Sequence, residues 1–357
     1  MARALAGERL VAERILVIRF GSLGDVILTF GAGEALARAR PNAQLVYLVK
    51  SPYADLVAAQ PWVSGVRALT DEQRGFWKGR AFKKDLQREG WSAVLDLQDN
   101  PRSRWFARGL APLSARWNAE RGARRAWVRT RSVRGLGIRP QPVRQAWIRF
   151  KDAARDLGAG EALPPRVQVP EAADQRAQMF FDEWASVSPA PVMAVAPAAA
   201  WPTKEWPEER TIELGKRLCA TGWRVLLVCR AEERARLKEI GAWVSGEPSA
   251  RWMTTDLLTV AAALGKARAA VVPDSGLMHL ATAVGTPVVA LFGSTVPELG
   301  FAPAGAGHRI MQRDLSCRPC HVHGRERCPL GHHHCMTLLE SDPVYEAATA
   351  LATQRVG

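Results

Sequence analysis

Apolar residues in this chain fall into short β-branched runs separated by longer stretches with a three-to-four-residue period. Residues 14–19, Arg-Ile-Leu-Val-Ile-Arg, read as a buried strand, and residues 45–49 and 93–97 repeat the pattern. Between them, residues 26–40 carry helical periodicity that stops at Pro41, and residues 53–60 do the same over a shorter span. Residues 151–190 hold Pro164, Pro165, Pro170 and Pro189 with one helical stretch over 172–186, which predicts a linker. The alternation then restarts, with strands at 192–196, 224–229, 269–272 and 288–292 and helices at 208–221, 232–240, 257–266 and 277–284. This order predicts an α/β fold of two doubly wound, parallel-sheet halves. The expected boundaries are 1–170, 171–340 and a C-terminal helix over 341–357. Ligands of such sheets sit beyond the carboxyl ends of the strands, so the strand-to-helix turns are where chemistry is sought.

Composition narrows the class. In 357 residues, 47% hydrophobic and 24% charged is globular usage, which excludes collagen, coiled coil and disordered tail. No apolar run reaches the roughly 18–20 residues needed to span a bilayer. The first twenty residues carry Arg3, Glu8, Arg9, Glu13 and Arg14, which leaves no secretory apolar segment and predicts a cytoplasmic protein. The 49 Lys and Arg against 35 Asp and Glu give a net charge of +14. Between Arg102 and Arg149 stand thirteen Arg, no Lys and one acid, Glu120, so +12 of that charge is local. Codon bias explains Arg over Lys but not the missing acids, so the stretch is a candidate surface for an anionic partner. Trp105, Trp117, Trp127 and Trp147 interleave with it, and such mixtures suit a membrane interface or sugar stacking, although buried tryptophans are the plainer reading.

Three turns carry candidate chemistry. After the first strand, Gly21 and Gly24 allow close backbone approach, Ser22 offers a hydroxyl, and Asp25 sits at the start of a helix, where it would also serve as a cap. Beyond residues 192–196, Thr203 and Lys204 offer a hydroxyl and an ammonium suited to phosphate oxygens. Beyond residues 269–272, Pro273-Asp-Ser-Gly-Leu-Met-His279 opens a helix whose N-terminus suits a diphosphate. Neither the G-x-G-x-x-G spacing nor G-x-x-x-x-G-K-[ST] occurs, so ordinary nicotinamide and P-loop chemistry lose support. Cys317, Cys320, Cys328 and Cys335 fall in one window with His321, His323, His332, His333 and His334, which is enough for a four-coordinate zinc site; a reduced or disulfide-linked loop is the competing reading.

Residues 15–29 (Ile-Leu-Val-Ile-Arg-Phe-Gly-Ser-Leu-Gly-Asp-Val-Ile-Leu-Thr), residues 196–207 and residues 271–281 with 285–293 resemble the ADP-heptose:lipopolysaccharide heptosyltransferases, glycosyltransferase family nine, in order and spacing. The resemblance runs from about residue 14 to residue 345. It implies a GT-B architecture of two Rossmann-like domains and an inverting, metal-independent transfer of heptose from ADP-heptose to a lipopolysaccharide core sugar. Carried onto this sequence, Asp25 is the general base. Lys204 and Thr203 contact donor phosphate, and Asp274, Ser275, Gly276 and His279 form the nucleotide-diphosphate loop. Glu232 lies where the nucleoside is held, with Glu233 adjacent.

Residues 96–103 resemble the family's acceptor side, so Ser22, Gly24, Gln98, Arg102 and Ser103 are the acceptor-side candidates. The implied partners are an ADP-sugar, a lipopolysaccharide core or lipid A acceptor, and the anionic inner membrane face, with no nucleic acid. No cofactor is expected for catalysis, and the cysteine window is a candidate for structural zinc. Two other readings stand beside this one. The same fold would serve another nucleotide sugar or glycan, and a basic nucleic-acid binder with a zinc knuckle would also use the Arg and Trp stretch.

Overall fold

A computed structural model describes residues 13–130, 140–161, 163–187 and 190–354. Arg3, Glu8, Arg9, Arg131, Arg134, Arg139 and Pro189, used above, lie outside the described residues.

The first half forms a five-stranded parallel sheet from β1 (Arg14–Ile18), β2 (Gln44–Lys50), β3 (Gly65–Leu69), β4 (Ala93–Asp96) and β5 (Leu113–Arg116), in the order β3-β2-β1-β4-β5. The second half forms a six-stranded parallel sheet from β6 (Val192–Val195), β7 (Arg224–Val228), β8 (Ala250–Met253), β9 (Ala269–Pro273), β10 (Val288–Phe292) and β11 (Arg309–Gln312), in the order β11-β10-β9-β6-β7-β8. Central strands are buried on both faces, as helix-covered parallel sheets require. In β1, Ile15 and Val17 face one apolar cluster while Leu16 and Ile18 face another.

The predicted strands all form, but β3, β5, β8 and β11 have no counterpart in the sequence reading. All four are sheet edges. Apart from a few buried positions, their residues are half-exposed or exposed, as in Leu-Ser-Ala-Arg of β5 and Arg-Ile-Met-Gln of β11, so they lack the continuous apolar run of a central strand. The helix expected over 26–40 begins earlier and breaks at Thr29, giving Leu23–Leu28 and Phe30–Ala39. The Thr29 hydroxyl donates to Val26 O at 2.6 Å and helps end the first piece. The helix expected over 232–240 divides at Leu237 into Ala231–Arg236 and Lys238–Ser245, with the Leu237 side chain buried.

Helix Ala146–Arg155 packs on Phe30–Ala39, whereas helix Glu171–Ala185 packs on Leu257–Lys266 and helix Ser341–Gln354 on Glu208–Ala220. The two halves meet where helix Leu23–Leu28 lies against helix Gly276–Ala283. Each of these helices follows the central region of its own sheet, so the two turns that open them face one another.

Candidate active site

The turns after β1, β6, β7 and β9 line one cavity of about 1070 Å³ between the halves. Glycine at two positions makes that approach possible. A Cβ on Gly24 would lie 2.5 Å from His279 Cδ2, and one on Gly276 would lie 2.8 Å from Leu23 Cβ. The two helix starts therefore touch through glycine on both sides.

Asp25 stands at this junction. Its Oδ2 takes Arg19 Nη2 at 2.7 Å, Ser22 Oγ at 3.1 Å and the Ser22 amide at 3.2 Å. All three contacts fall on one oxygen, which leaves Oδ1 as the oxygen available to take a proton. Burial pushes the carboxyl pKa up, but the Arg19 charge and the donors of Arg19 and Ser22 outweigh it and hold Asp25 below the ordinary carboxylate value. Capping is part of its role, since it accepts from Ser22 N, but a cap alone does not call for a buried arginine. Arg19 is 4% exposed and lies over the rings of Trp117 and Phe150.

On the opposite wall, Lys204 Nζ donates to Asp274 Oδ2 at 2.6 Å and to Asp274 O at 3.2 Å. An ammonium has three donors, so one remains for a ligand in the cleft. Asp274 also accepts from Thr295 Oγ1 at 2.6 Å. Burial raises its pKa, but the Lys204 charge and the hydrogen bonds from Lys204 and Thr295 outweigh it and hold Asp274 below the ordinary carboxylate value, so it stays ionised. His279 is pushed down to about 4 by burial, against the pull of Asp274 and Asp25, and is neutral at pH 7. Its Nδ1 and the Ser275 hydroxyl are buried polar atoms with no hydrogen-bond partner. Unpaired polar atoms at a helix start on a cleft wall await a ligand's polar groups.

Of the residues expected from the sequence, Asp25, Lys204, Asp274, Ser275, Gly276, His279, Ser22, Gly24 and Gln98 all line the cavity. Four do not. Thr203 is buried below it, with its hydroxyl bonded to the amide and carbonyl of Arg325 and to Ser294 Oγ. Glu232 is exposed outside it, while Glu233 lines it and accepts from Arg230. Arg102 is exposed, and Ser103 is buried, donating to Asp96 Oδ2 at 2.8 Å and helping to cap helix Pro101–Ala107.

Arg19, Arg124 and His323 also line the cavity and were not among the site residues expected from the sequence. Arg19 had a signal, a charge at the carboxyl end of an apolar strand just before a glycine turn. Arg124, one of many arginines, is buried from helix Arg121–Arg129 and lies over Phe301 at 4.7 Å. His323 reaches the cavity from the cysteine window.

The arginine-rich stretch is not one surface. Arg104, Arg116 and Arg121 converge on Asp99. Arg149 is buried under Trp117, and burial lowers its pKa to about 10. Trp117 and Trp127 are core residues, so the plainer reading of them holds, and only Trp105 of the four is exposed. The cysteine window also differs from a zinc knuckle. No disulfide joins its four cysteines, burial pushes Cys335 up to about 12, and no three His, Cys, Asp or Glu among the described residues are arranged to hold a metal. The loop is instead anchored by Arg318, which donates to Phe292 O at 2.8 Å and Thr295 O at 2.7 Å.

Two α/β sheets with facing strand-end turns, one bearing a carboxylate and the other a lysine and an open helix start, have the arrangement of a GT-B fold. The family model for glycosyltransferase family 9 (heptosyltransferase) matches residues 79–330. The chain is 32% identical over 321 residues, 86% of each sequence, to lipopolysaccharide heptosyltransferase 1 of Pseudomonas aeruginosa. The chain therefore belongs to glycosyltransferase family 9. Among solved structures, the ADP-heptose lipopolysaccharide heptosyltransferase II of Escherichia coli superposes with a TM-score of 0.72 at 22% identity, covering 96% of this chain and all of the other. An Escherichia coli heptosyltransferase with ADP-2-deoxy-2-fluoro heptose has a TM-score of 0.65 at 22% identity, covering 93% of this chain and 99% of that one.

Proposed function

We propose that this enzyme transfers heptose from ADP-heptose to a lipopolysaccharide inner-core sugar with inversion and without a catalytic metal. The observation that carries the reading is the placement of Asp25 against the Asp274–Lys204 wall across one cleft. The acceptor hydroxyl oxygen attacks the anomeric carbon as the bond to the β-phosphate oxygen breaks. Asp25 Oδ1 takes the hydroxyl proton, and ADP leaves with the electron pair. Lys204 and the helix start at Ser275 and Gly276 stabilise the charge on the departing diphosphate. Asp274 holds Lys204 in place, and neutral His279 offers its unpaired Nδ1 to the donor. Glu233, rather than its exposed neighbour Glu232, accepts from the nucleoside hydroxyls. Thr203 positions the loop that carries Arg325 and does not touch the donor. On this reading residues 1–170 form the acceptor half and 171–340 the donor half.

The relatives support the donor and acceptor classes, since their names and bound ligands are heptosyltransferases and ADP-sugars. A phosphorylated, lipid-linked acceptor also accounts for a cationic acceptor half, and such a substrate brings the enzyme to the inner face of the inner membrane. The test is transfer from ADP-heptose to a Kdo- or heptose-terminated acceptor, run beside ADP-glucose and UDP-glucose. Transfer from ADP-heptose alone is expected. A preference for either glucose donor would replace this reading with another nucleotide-sugar transferase.

A further inference from the structure

Helix Phe76–Arg88 presents an unusual outer face. Trp77, Arg80, Lys84 and Arg88 recur at helical spacing and all are exposed. Trp77 is 79% exposed, which an indole tolerates poorly in water. The only acid on that face, Asp85, is paired with Arg88 at 3.0 Å. The neighbouring helix Pro101–Ala107 packs against it through Phe82 and Phe106 and adds Trp105, 39% exposed, with Arg102 and Arg108. Lys83 joins the two helices. Its Nζ donates to Trp105 O at 2.5 Å and lies 4.9 Å from the Trp105 ring. Partial burial and the like charge of Arg108 lower the Lys83 pKa, so cations are crowded here.

We propose that these two helices form a membrane-docking face, with Trp77 and Trp105 in the headgroup layer and Arg80, Lys84, Arg102 and Arg108 on the phosphates of an anionic bilayer. Exposed indoles ringed by flexible cations match an interface that is apolar below and anionic above. No helix among the described residues is long and apolar enough to cross a membrane, so contact of this kind is surface contact. The face also adjoins the cleft. Asn100 caps helix Pro101–Ala107 and lines the cavity, so a bilayer under this face would bring a lipid-linked sugar to the acceptor side. That last consequence rests on the glycolipid acceptor proposed above; bilayer binding itself does not.

The test is flotation of the full-length protein with phosphatidylglycerol-containing vesicles and with pure phosphatidylcholine vesicles, without substrates, across a salt series. The wild type is expected to float with the anionic vesicles and to lose binding as salt rises. R80E/K84E and W77S/W105S should each weaken partitioning, the charge reversal by on the order of tenfold or more. Unchanged thermal stability and unchanged transfer to a water-dispersed, deacylated acceptor would confirm that both variants are folded. Wild-type flotation by either variant, or equal binding to neutral vesicles, would overturn the proposal. Intact anionic binding without heptose transfer would instead count against the proposed reaction and leave the docking face standing.

Discussion

At the scale of single residues, charge state decides what the cleft can do. Asp25 is held ionised by Arg19 and Ser22, so with Asp25 as the proposed base, kcat against pH should show no acid limb from this group above its ordinary value of 3.8. His279 works in the opposite sense on stability. Its folded pKa of about 4 lies below the ordinary 6.5, so between those values the unfolded chain binds a proton that the folded chain does not. The contribution is complete above pH 6.5 and falls away as pH drops toward 4. Melting temperature should therefore decline over that window, and His279→Gln should make the decline shallower. Part of the slope will remain, because burial and nearby Arg124 also lower His323 to about 4. A place on the cavity wall was legible where a turn follows a strong strand, as for Asp25, Lys204 and Asp274. It was not legible where two like residues are adjacent, as for Glu232 and Glu233, since a helix start one residue earlier decides which of them faces the cleft.

At the scale of elements, the contact between helices Leu23–Leu28 and Gly276–Ala283 sets the separation of Asp25 from the Asp274–Lys204 wall. Gly24→Ala inserts a methyl where His279 already stands, 2.5 Å away. The expected cost is about 1–3 kcal/mol of stability, seen as a lower melting temperature. A fall in kcat should accompany it, as the two turns are forced apart. The cysteine window is a second element with a changed meaning. Expected either to hold structural zinc or to be a reduced or disulfide-linked loop, it has no disulfide and is pinned by Arg318, carrying His323 into the cavity. His323→Ala should raise KM with little change in melting temperature, measured by steady-state transfer and thermal unfolding. Central strands were legible in the sequence because burial on both faces makes them continuously apolar. The edge strands were not, because between them they mix buried positions such as Leu69, Ala115 and Met253 with half-exposed or exposed ones and so lack a continuous apolar run.

At the scale of the whole molecule, the +14 charge resolves into parts with different work. Arg19, Arg121, Arg124 and Lys204 line the cleft, Arg149 is packed in the core, and the exposed cations of helices Phe76–Arg88 and Pro101–Ala107 form a surface of their own. The sequence showed the excess between Arg102 and Arg149 but gave no sign that helix Phe76–Arg88, outside that stretch, shares the exposed face. Packing joined them, through contacts with no local periodicity to announce them. In the proposed reaction the charge on the leaving diphosphate is met by Lys204 and a helix start, so transfer should keep its full rate in EDTA; a rate restored only by added divalent metal would refute the metal-independent reading.

The central claim is that Asp25 removes the proton from the acceptor across the Asp274–Lys204 wall. Single-turnover transfer of heptose from ADP-heptose by Asp25→Asn tests it most directly, with ADP-heptose affinity measured on the same protein. The account predicts a rate lower by roughly 10²–10⁴-fold with donor affinity preserved. Transfer at the wild-type rate by Asp25→Asn would contradict it.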